Sequence, residues 1–337
     1  MKFSIAMCTY NGARYLREQL ESIAAQTRLP DELIICDDLS GDETREIIKD
    51  FASKTTISVR FYLNQKNLGI IKNFEKAIEL CTGDIIALCD QDDVWKMNKI
   101  ERLEQIFLSM PDVGLVFSDA DVVDENLRWS GQQLWQFTFP PQIRQLVEEG
   151  GAVDVLVKSD NFVTGATMAF KSKFKDIILP IPTGIFVIHD GWIALMIGAA
   201  ARIAFIPDTL IKYRQHPGQQ MGAQRLRKIP PDNAPRVHSR VQSLEKIALH
   251  YQTELELYCS VRERLVVASR NVDVKKNTSA IESNIAYLKE KVTHFQTRAR
   301  MPKSRLGRIP YALRELSKLH YHRYSNGIYS FAKDVLL

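Results

Sequence analysis

The chain has 337 residues, 45% of them hydrophobic and 25% charged, with a formal net charge of +5. It can bury a sizeable core, as one large domain or two ordinary ones, and has the composition of a soluble protein. No apolar run is long enough to cross a bilayer. The best, Ile193 to Ile206, is short and carries Arg202.

Charge is unevenly spread. Residues 1–220 hold 23 Lys and Arg against 30 Asp and Glu, and residues 221–337 hold 22 against 10. A basic tail of this kind meets nucleic acid, anionic membrane or acidic ligands, and no recognisable nucleic-acid module is present. The opening Met1-Lys2-Phe3-Ser4-Ile5 runs straight into a strand-like stretch, so no leader is expected. Cys8, Cys36, Cys81, Cys89 and Cys259 show no CxxC pairing and no histidine at zinc spacing. They read as buried free thiols of a reducing cytosol.

In chain order, Phe3–Cys8 predicts a buried strand, Ala13–Gln26 a helix, Glu32–Cys36 a strand and Asp42–Ala52 a helix. Ile57–Leu63 predicts a strand, Ile71–Leu80 a helix, Asp84–Cys89 a strand, Lys99–Leu108 a helix and Val113–Ser118 a strand. This alternation predicts an α/β fold with a mostly parallel sheet flanked by helices. The division is a first domain over 1–224 and a basic, mainly helical region over 225–337. Ile229 to Pro235 reads as a linker, with helical patterns over Val241–Arg270, Ala280–Arg298 and beyond.

Polar clusters follow the strands: Thr9-Tyr10-Asn11-Gly12, Asp37-Asp38-Leu39-Ser40-Gly41, Asn64 with Asn67-Leu68-Gly69, Asp90-Gln91-Asp92-Asp93 and Asp119-Ala120-Asp121. Any one suits a turn. Five at one edge of a parallel sheet predict a ligand site. Asp90 and Asp92, crowded after the apolar run Ile85 to Leu88, suit a hard divalent cation shared with substrate phosphates. Asp93 is expected to cap the next helix or to support the metal ligands. No GxxxxGK[ST] loop and no GxGxxG turn occurs, so a metal rather than a glycine cradle is expected to hold the phosphates.

These pieces, with Asn161 to Thr167, His189-Asp190-Gly191-Trp192 and Tyr213-Arg214-Gln215-His216, resemble the family 2 inverting glycosyltransferases of the GT-A fold over about residues 1–220. Tyr213 to His216 and Tyr324-Ser325-Asn326-Gly327 resemble the rhamnosyltransferase-like bacterial members. The resemblance implies that Thr9, Tyr10, Asn11, Asp37, Asp38, Asn67, Asn73 and Asp90 hold the nucleotide. It also implies that Asp90, Asp92 and His216 serve a divalent metal, Mg2+ or Mn2+, and that Asp190 is the catalytic base. The donor would be a nucleoside diphosphate sugar, with rhamnose the sugar that the subtype suggests. The acceptor would be a glycan or lipid-linked glycan, and the product would feed cell-surface polysaccharide or lipopolysaccharide synthesis. The expected location is the cytoplasm, with peripheral contact at the inner face of the plasma membrane through the basic tail.

Three positions depart from the family pattern. His216 is followed by Pro217-Gly218, Leu39 sits in the Asp-Asp-x-Ser turn, and His189 stands where relatives carry an acid. His189 either tunes Asp190 or is simply exposed, and Asp190 by itself could cap the helix that follows. Two rival readings are a sugar nucleotidyltransferase, which would want a basic glycine-rich first loop, and a non-catalytic nucleotide-sugar-binding protein, which would need no acceptor-side base.

Overall fold

The computed structural model describes residues 1–158, 161–183, 188–219, 240–268, 278–302 and 304–336. The chain divides into two compact units, one of residues 1–229 with 264–278, the other of 230–263 with 279–337. The first opens as the sequence predicts. Strands β1 (Phe3–Thr9), β2 (Glu32–Asp37), β3 (Ser58–Leu63) and β4 (Ile85–Cys89) alternate with helices α1 (Ala13–Ala24), α2 (Thr44–Lys54) and α3 (Ile70–Leu80). They pair in parallel in the order β3-β2-β1-β4. Every residue of β1 and β4 is buried, because central parallel strands are covered on both faces. Leu16, Leu20 and Ile23 supply the buried stripe of α1 that covers them.

Beyond β4 the alternation ends. The remaining strands are β5 (Val94–Trp95), β6 (Val113–Val123), β7 (Trp129–Gln133), β8 (Met168–Lys171) and β9 (Arg202–Arg214). β8 lies antiparallel between β4 and β6. β9 runs parallel to β6, and β5 runs antiparallel on β9. Among the described residues the sheet is therefore nine-stranded and mixed. Its helices here are α4 (Lys99–Ser109), α5 (Trp135–Thr138), α6 (Pro141–Glu148), α7 (Ala152–Lys158), α8 (Lys175–Ile178) and α9 (His189–Ala200). α9 is buried on all sides, in keeping with its uninterrupted apolar sequence.

One expected cluster is not at a strand's end. Asp119-Ala120-Asp121 lies inside β6, opposite Thr209 and Lys212 of β9. The strand continues because its carboxylates are satisfied. Asp119 Oδ1 accepts from the Ala120 and Trp135 amides at 2.7 and 3.0 Å, and Asp121 pairs with Lys96 at 2.6 Å.

The C-terminal region is helical: α10 (Arg240–Ala268), α11 (Thr278–Ala299), α12 (Arg305–Ser317), α13 (His320–Tyr324) and α14 (Gly327–Leu336). The expected linker at 229–235 lies outside the described residues. The last four helices are tied by buried polar pairs. Glu315 accepts from Nδ1 of His294 and of His320 at 2.6 and 2.9 Å. Arg298 grips Asp334 in bidentate fashion at 2.6 and 3.1 Å, and Tyr321 donates to Asp334 at 2.7 Å. Ser325, from the Tyr324-Ser325-Asn326-Gly327 motif, joins His294 Nε2 and Arg298. In this unit the motif's serine is part of the packing. Among the described residues no helix is long and apolar enough to cross a membrane.

Candidate active site

The loops after β1 and β2 are locked into each other. Asn11 donates its amide to Ser40 Oγ at 2.9 Å and accepts from the Gly41 amide at 2.8 Å. The next loop also caps α1, with Thr44 Oγ1 accepting from Gly12 at 2.8 Å and Asp42 from Ala13 at 3.0 Å. Asp37, fully buried, accepts from Thr9 Oγ1 and from the hydroxyl and amide of Ser40. Asp38 accepts from Asn64 and from the Leu68 and Gly69 amides, which fastens the β3–α3 loop. Asn67 donates to Asp38 O, and Asn73 donates to Cys36 O and accepts from Asn64. The structure thus brings Thr9, Asn11, Asp37, Asp38, Asn67 and Asn73 together at the ends of β1, β2 and β3. Their side chains brace one another, and the Tyr10 ring is left 48% exposed at the rim. Asn11 and Leu39 both adopt positive φ, at 47° and 69°. A leucine held there costs about 1–2 kcal/mol, the kind of strain that stiff functional loops carry.

The β4 end is pinned to the same loops. Gln91 accepts from the Tyr10 amide at 2.8 Å and donates to the Tyr10 carbonyl at 3.0 Å. A Cβ on Gly12 would lie 2.2 Å from Gln91 Oε1, so only glycine allows this approach. Asp92 Oδ2 is 2.8 Å from His216 Nε2. Two residues 124 apart in sequence therefore meet. Asp93 is followed by β5, and Asn98 rather than Asp93 is the N-cap of α4. Asp93 instead accepts the Arg214 amide at 3.0 Å, and its Oδ2 is buried with no partner among the described residues. Enclosure raises Asp90 to about 7, with the charges of Asp92 and Asp190 adding to the shift. Asp93 is raised well above the carboxylate range by burial and by the charges of Asp92 and Asp90. Crowded, desolvated carboxylates with an unpartnered oxygen and a facing imidazole are a donor set that suits a hard divalent cation.

Asp190 stands in the first turn of α9. Its Oδ2 accepts from the Gly165 amide at 3.1 Å and its Oδ1 from the Gly191 amide at 2.6 Å. The bond to Gly165 holds the segment before β8 against α9. A Cβ there would meet His189 Nε2 at 3.2 Å and Asp190 Cβ at 3.4 Å. His189 is buried, stacked on Phe74 with ring centroids 4.3 Å apart, and its Nδ1 has no partner among the described residues. Burial lowers its pKa, so it is neutral at ordinary pH. The exposed alternative is therefore excluded.

Two cations were not anticipated as site residues. Lys99, fully buried, donates to Ala166 O at 2.7 Å and sits 3.7 Å from the Trp95 ring centroid. Burial lowers it to about 7, opposed by Cys89, Asp93 and Asp90. A lysine at the first position of α4 was the available signal, since the positive end of a helix dipole disfavours a cation there. Arg214, also buried, donates to the Asp92 and Glu125 carbonyls at 2.6 Å each, pairs with Glu18 and lies 4.6 Å from the Tyr15 ring centroid. It thereby fixes the backbone on either side of the Asp92–His216 pair.

Residues 4–170 match the profile of glycosyl transferase family 2. The chain carries a glycosyl transferase family 2 domain. An uncharacterised glycosyltransferase of Nostoc sp. is 28% identical over 222 residues, 64% of this chain and 65% of that protein. An uncharacterised protein of Mycobacterium bovis is 30% identical over 222 residues, 63% of this chain and 58% of that protein. The chain spans about three fifths of the length of these curated relatives. Among solved structures, Staphylococcus aureus TarS 1–349 in complex with UDP-GlcNAc superposes with a TM-score of 0.52 at 16% identity, over 96% of this chain and 89% of that one. The shared fold is GT-A: a mixed sheet flanked by helices, followed by C-terminal helices.

Proposed function

We propose that this protein is an inverting glycosyltransferase. It moves a sugar from a nucleoside diphosphate donor to a glycan or lipid-linked glycan, in cell-surface polysaccharide synthesis at the cytoplasmic face of the plasma membrane. The observation that carries the reading is the meeting of Asp92 with His216 beside Asp90, within electrostatic reach of Asp190, with Asp90 and Asp92 inside the family 2 match of residues 4–170. The loops after β1 to β3 seat the nucleoside, with the exposed Tyr10 ring as a stacking surface. Asp92 and His216, with Asp90 beside them, would hold Mg2+ or Mn2+, which when bound supplies Lewis-acid charge for the departing diphosphate. Rhamnose is the proposed sugar, on the likeness of Tyr213 to His216 to the rhamnosyltransferase-like members.

Asp190 is the base. Two backbone amides orient its carboxylate, so it loses little freedom on meeting the acceptor. It takes the proton of the acceptor hydroxyl as that oxygen bonds to the anomeric carbon. The bond from that carbon to the diphosphate breaks on the opposite side, and its electron pair leaves with the nucleoside diphosphate. No covalent sugar–protein intermediate forms, so the anomeric configuration inverts. Asp190, held close to the carboxylate cluster, also favours transfer over a donor-binding role without catalysis.

The test is calorimetry with a panel of nucleoside diphosphates, with and without Mn2+, on wild type and Asp92→Ala. One nucleotide should bind only with metal, and Asp92→Ala should lose it. Binding indifferent to both the metal and Asp92 would overturn the reading.

A further inference from the structure

We propose that the outer face of α12 to α14 is a docking surface for anionic lipid. It rests on the peripheral-membrane part of the function proposed above and names the surface responsible. Two features of residues 304–336 carry it. The first is charge. This stretch has two carboxylates, Glu315 and Asp334, and both are buried in the polar pairs that hold the helices together. Its exposed charged side chains are Arg305, Arg314, Lys318, Arg323 and Lys333, all cationic. Of these, Arg323 has Glu290 of α11 as a partner at 3.8 Å. The carboxylates hold the fold from inside and leave the surface positive.

The second feature is apolar. On α12 the buried Ala312 and Glu315 mark the inner face, while Leu306, Pro310 and Leu313 fall at i, i+4 and i+7 on the outer one. Leu306 is 82% exposed, and on α14, which packs against α12, Ile328 and Tyr329 are 66% and 73% exposed. Large apolar side chains left in water on two packed helices mark an interaction face. Leucine, isoleucine and tyrosine among arginine and lysine suit an interface of acyl chains under phosphate headgroups. A protein partner would have to supply a matching acidic rim, whereas an anionic leaflet supplies it everywhere.

The test uses the full chain and co-sedimentation with vesicles of phosphatidylcholine alone or mixed with phosphatidylglycerol. Wild type should pellet with the mixed vesicles, weakly with the neutral ones, and less as salt rises. Arg314→Gln with Lys318→Gln should weaken binding about fivefold per cation removed. Leu306→Ser with Ile328→Ser and Tyr329→Ser should abolish it, and these exposed positions leave the core intact. Indifference of wild type to lipid charge, or of binding to these substitutions, would overturn the proposal. So would sedimentation velocity showing that the triple serine variant turns a lipid-free dimer into a monomer, since the face would then join two copies. Nucleotide binding needs no vesicle, so its persistence in either failure leaves the transferase reading standing.

Discussion

Gly12→Ala tests whether the first loop is positioned by its contact with the metal-site loop. The added Cβ would lie 2.2 Å from Gln91 Oε1 and 2.5 Å from Gln91 Cδ. Gly12 has φ −101°, so alanine brings no backbone strain, and the whole effect must come from this collision. Gln91 is a flexible side chain and can swing away. Doing so breaks its two bonds to Tyr10, at 2.8 and 3.0 Å. At about 0.5–1.5 kcal/mol each, the loss is about 1–3 kcal/mol. The expected result is a fall of that size in denaturant unfolding and a drop of about tenfold in nucleotide affinity by calorimetry, since residues 9–11 lose their anchor. Gln91→Ala should show a similar loss. The decisive comparison is the double variant. With Gln91 shortened, the three atoms nearest the added Cβ are gone, and Gly12→Ala should cost a few tenths of a kcal/mol. An equal cost for Gly12→Ala in both backgrounds would refute the reasoning.

Two further predictions follow from the carboxylate cluster and its buried lysine. Asp190→Asn keeps the shape and one of the two amide contacts but cannot take a proton, so turnover should fall by about 10²–10⁴-fold with donor affinity kept. Full activity in that variant would remove the base assignment. Lys99 is lowered to about 7 in the folded protein from an ordinary 10.5, so between those values the unfolded chain binds more protons and stability rises with pH. The burial cost is fully present below pH 7 and is relieved towards 10.5, at a slope of up to about 1.4 kcal/mol per pH unit. Lys99→Met should lack that slope, and parallel stability curves for the two proteins across the window would show that Lys99 is not buried as a cation.

Several features were decided locally and could be read without the fold. β1 to β4 are long apolar runs separated by helical periods and turn residues, and each of these signals acts within a few residues. The polar turns after them follow for the same reason. The resemblance added Asp190 and His216, which spacing alone could not separate from a helix cap and a loop hydrogen-bonder. The tertiary structure decided what depends on neighbours distant in sequence. β5 has two residues and exists because β9 offers it a partner, and β8 is antiparallel because of how the chain returns to lie between β4 and β6. Asp119 and Asp121 stay within a strand because Trp135 and Lys96 reach them from other elements. The crowding of Asp90, Asp92 and Asp93 in the sequence called for positive charge nearby. Only the packing shows that Lys99 comes from the start of α4 and Arg214 from the end of β9, over 100 residues further on. The sign of the tail's charge was plain from composition, but the exclusively positive outer face of α12 to α14 was not. It arises because Glu315 and Asp334 turn inward to bond His294, His320, Arg298 and Tyr321, and burial is a property of the packed chain.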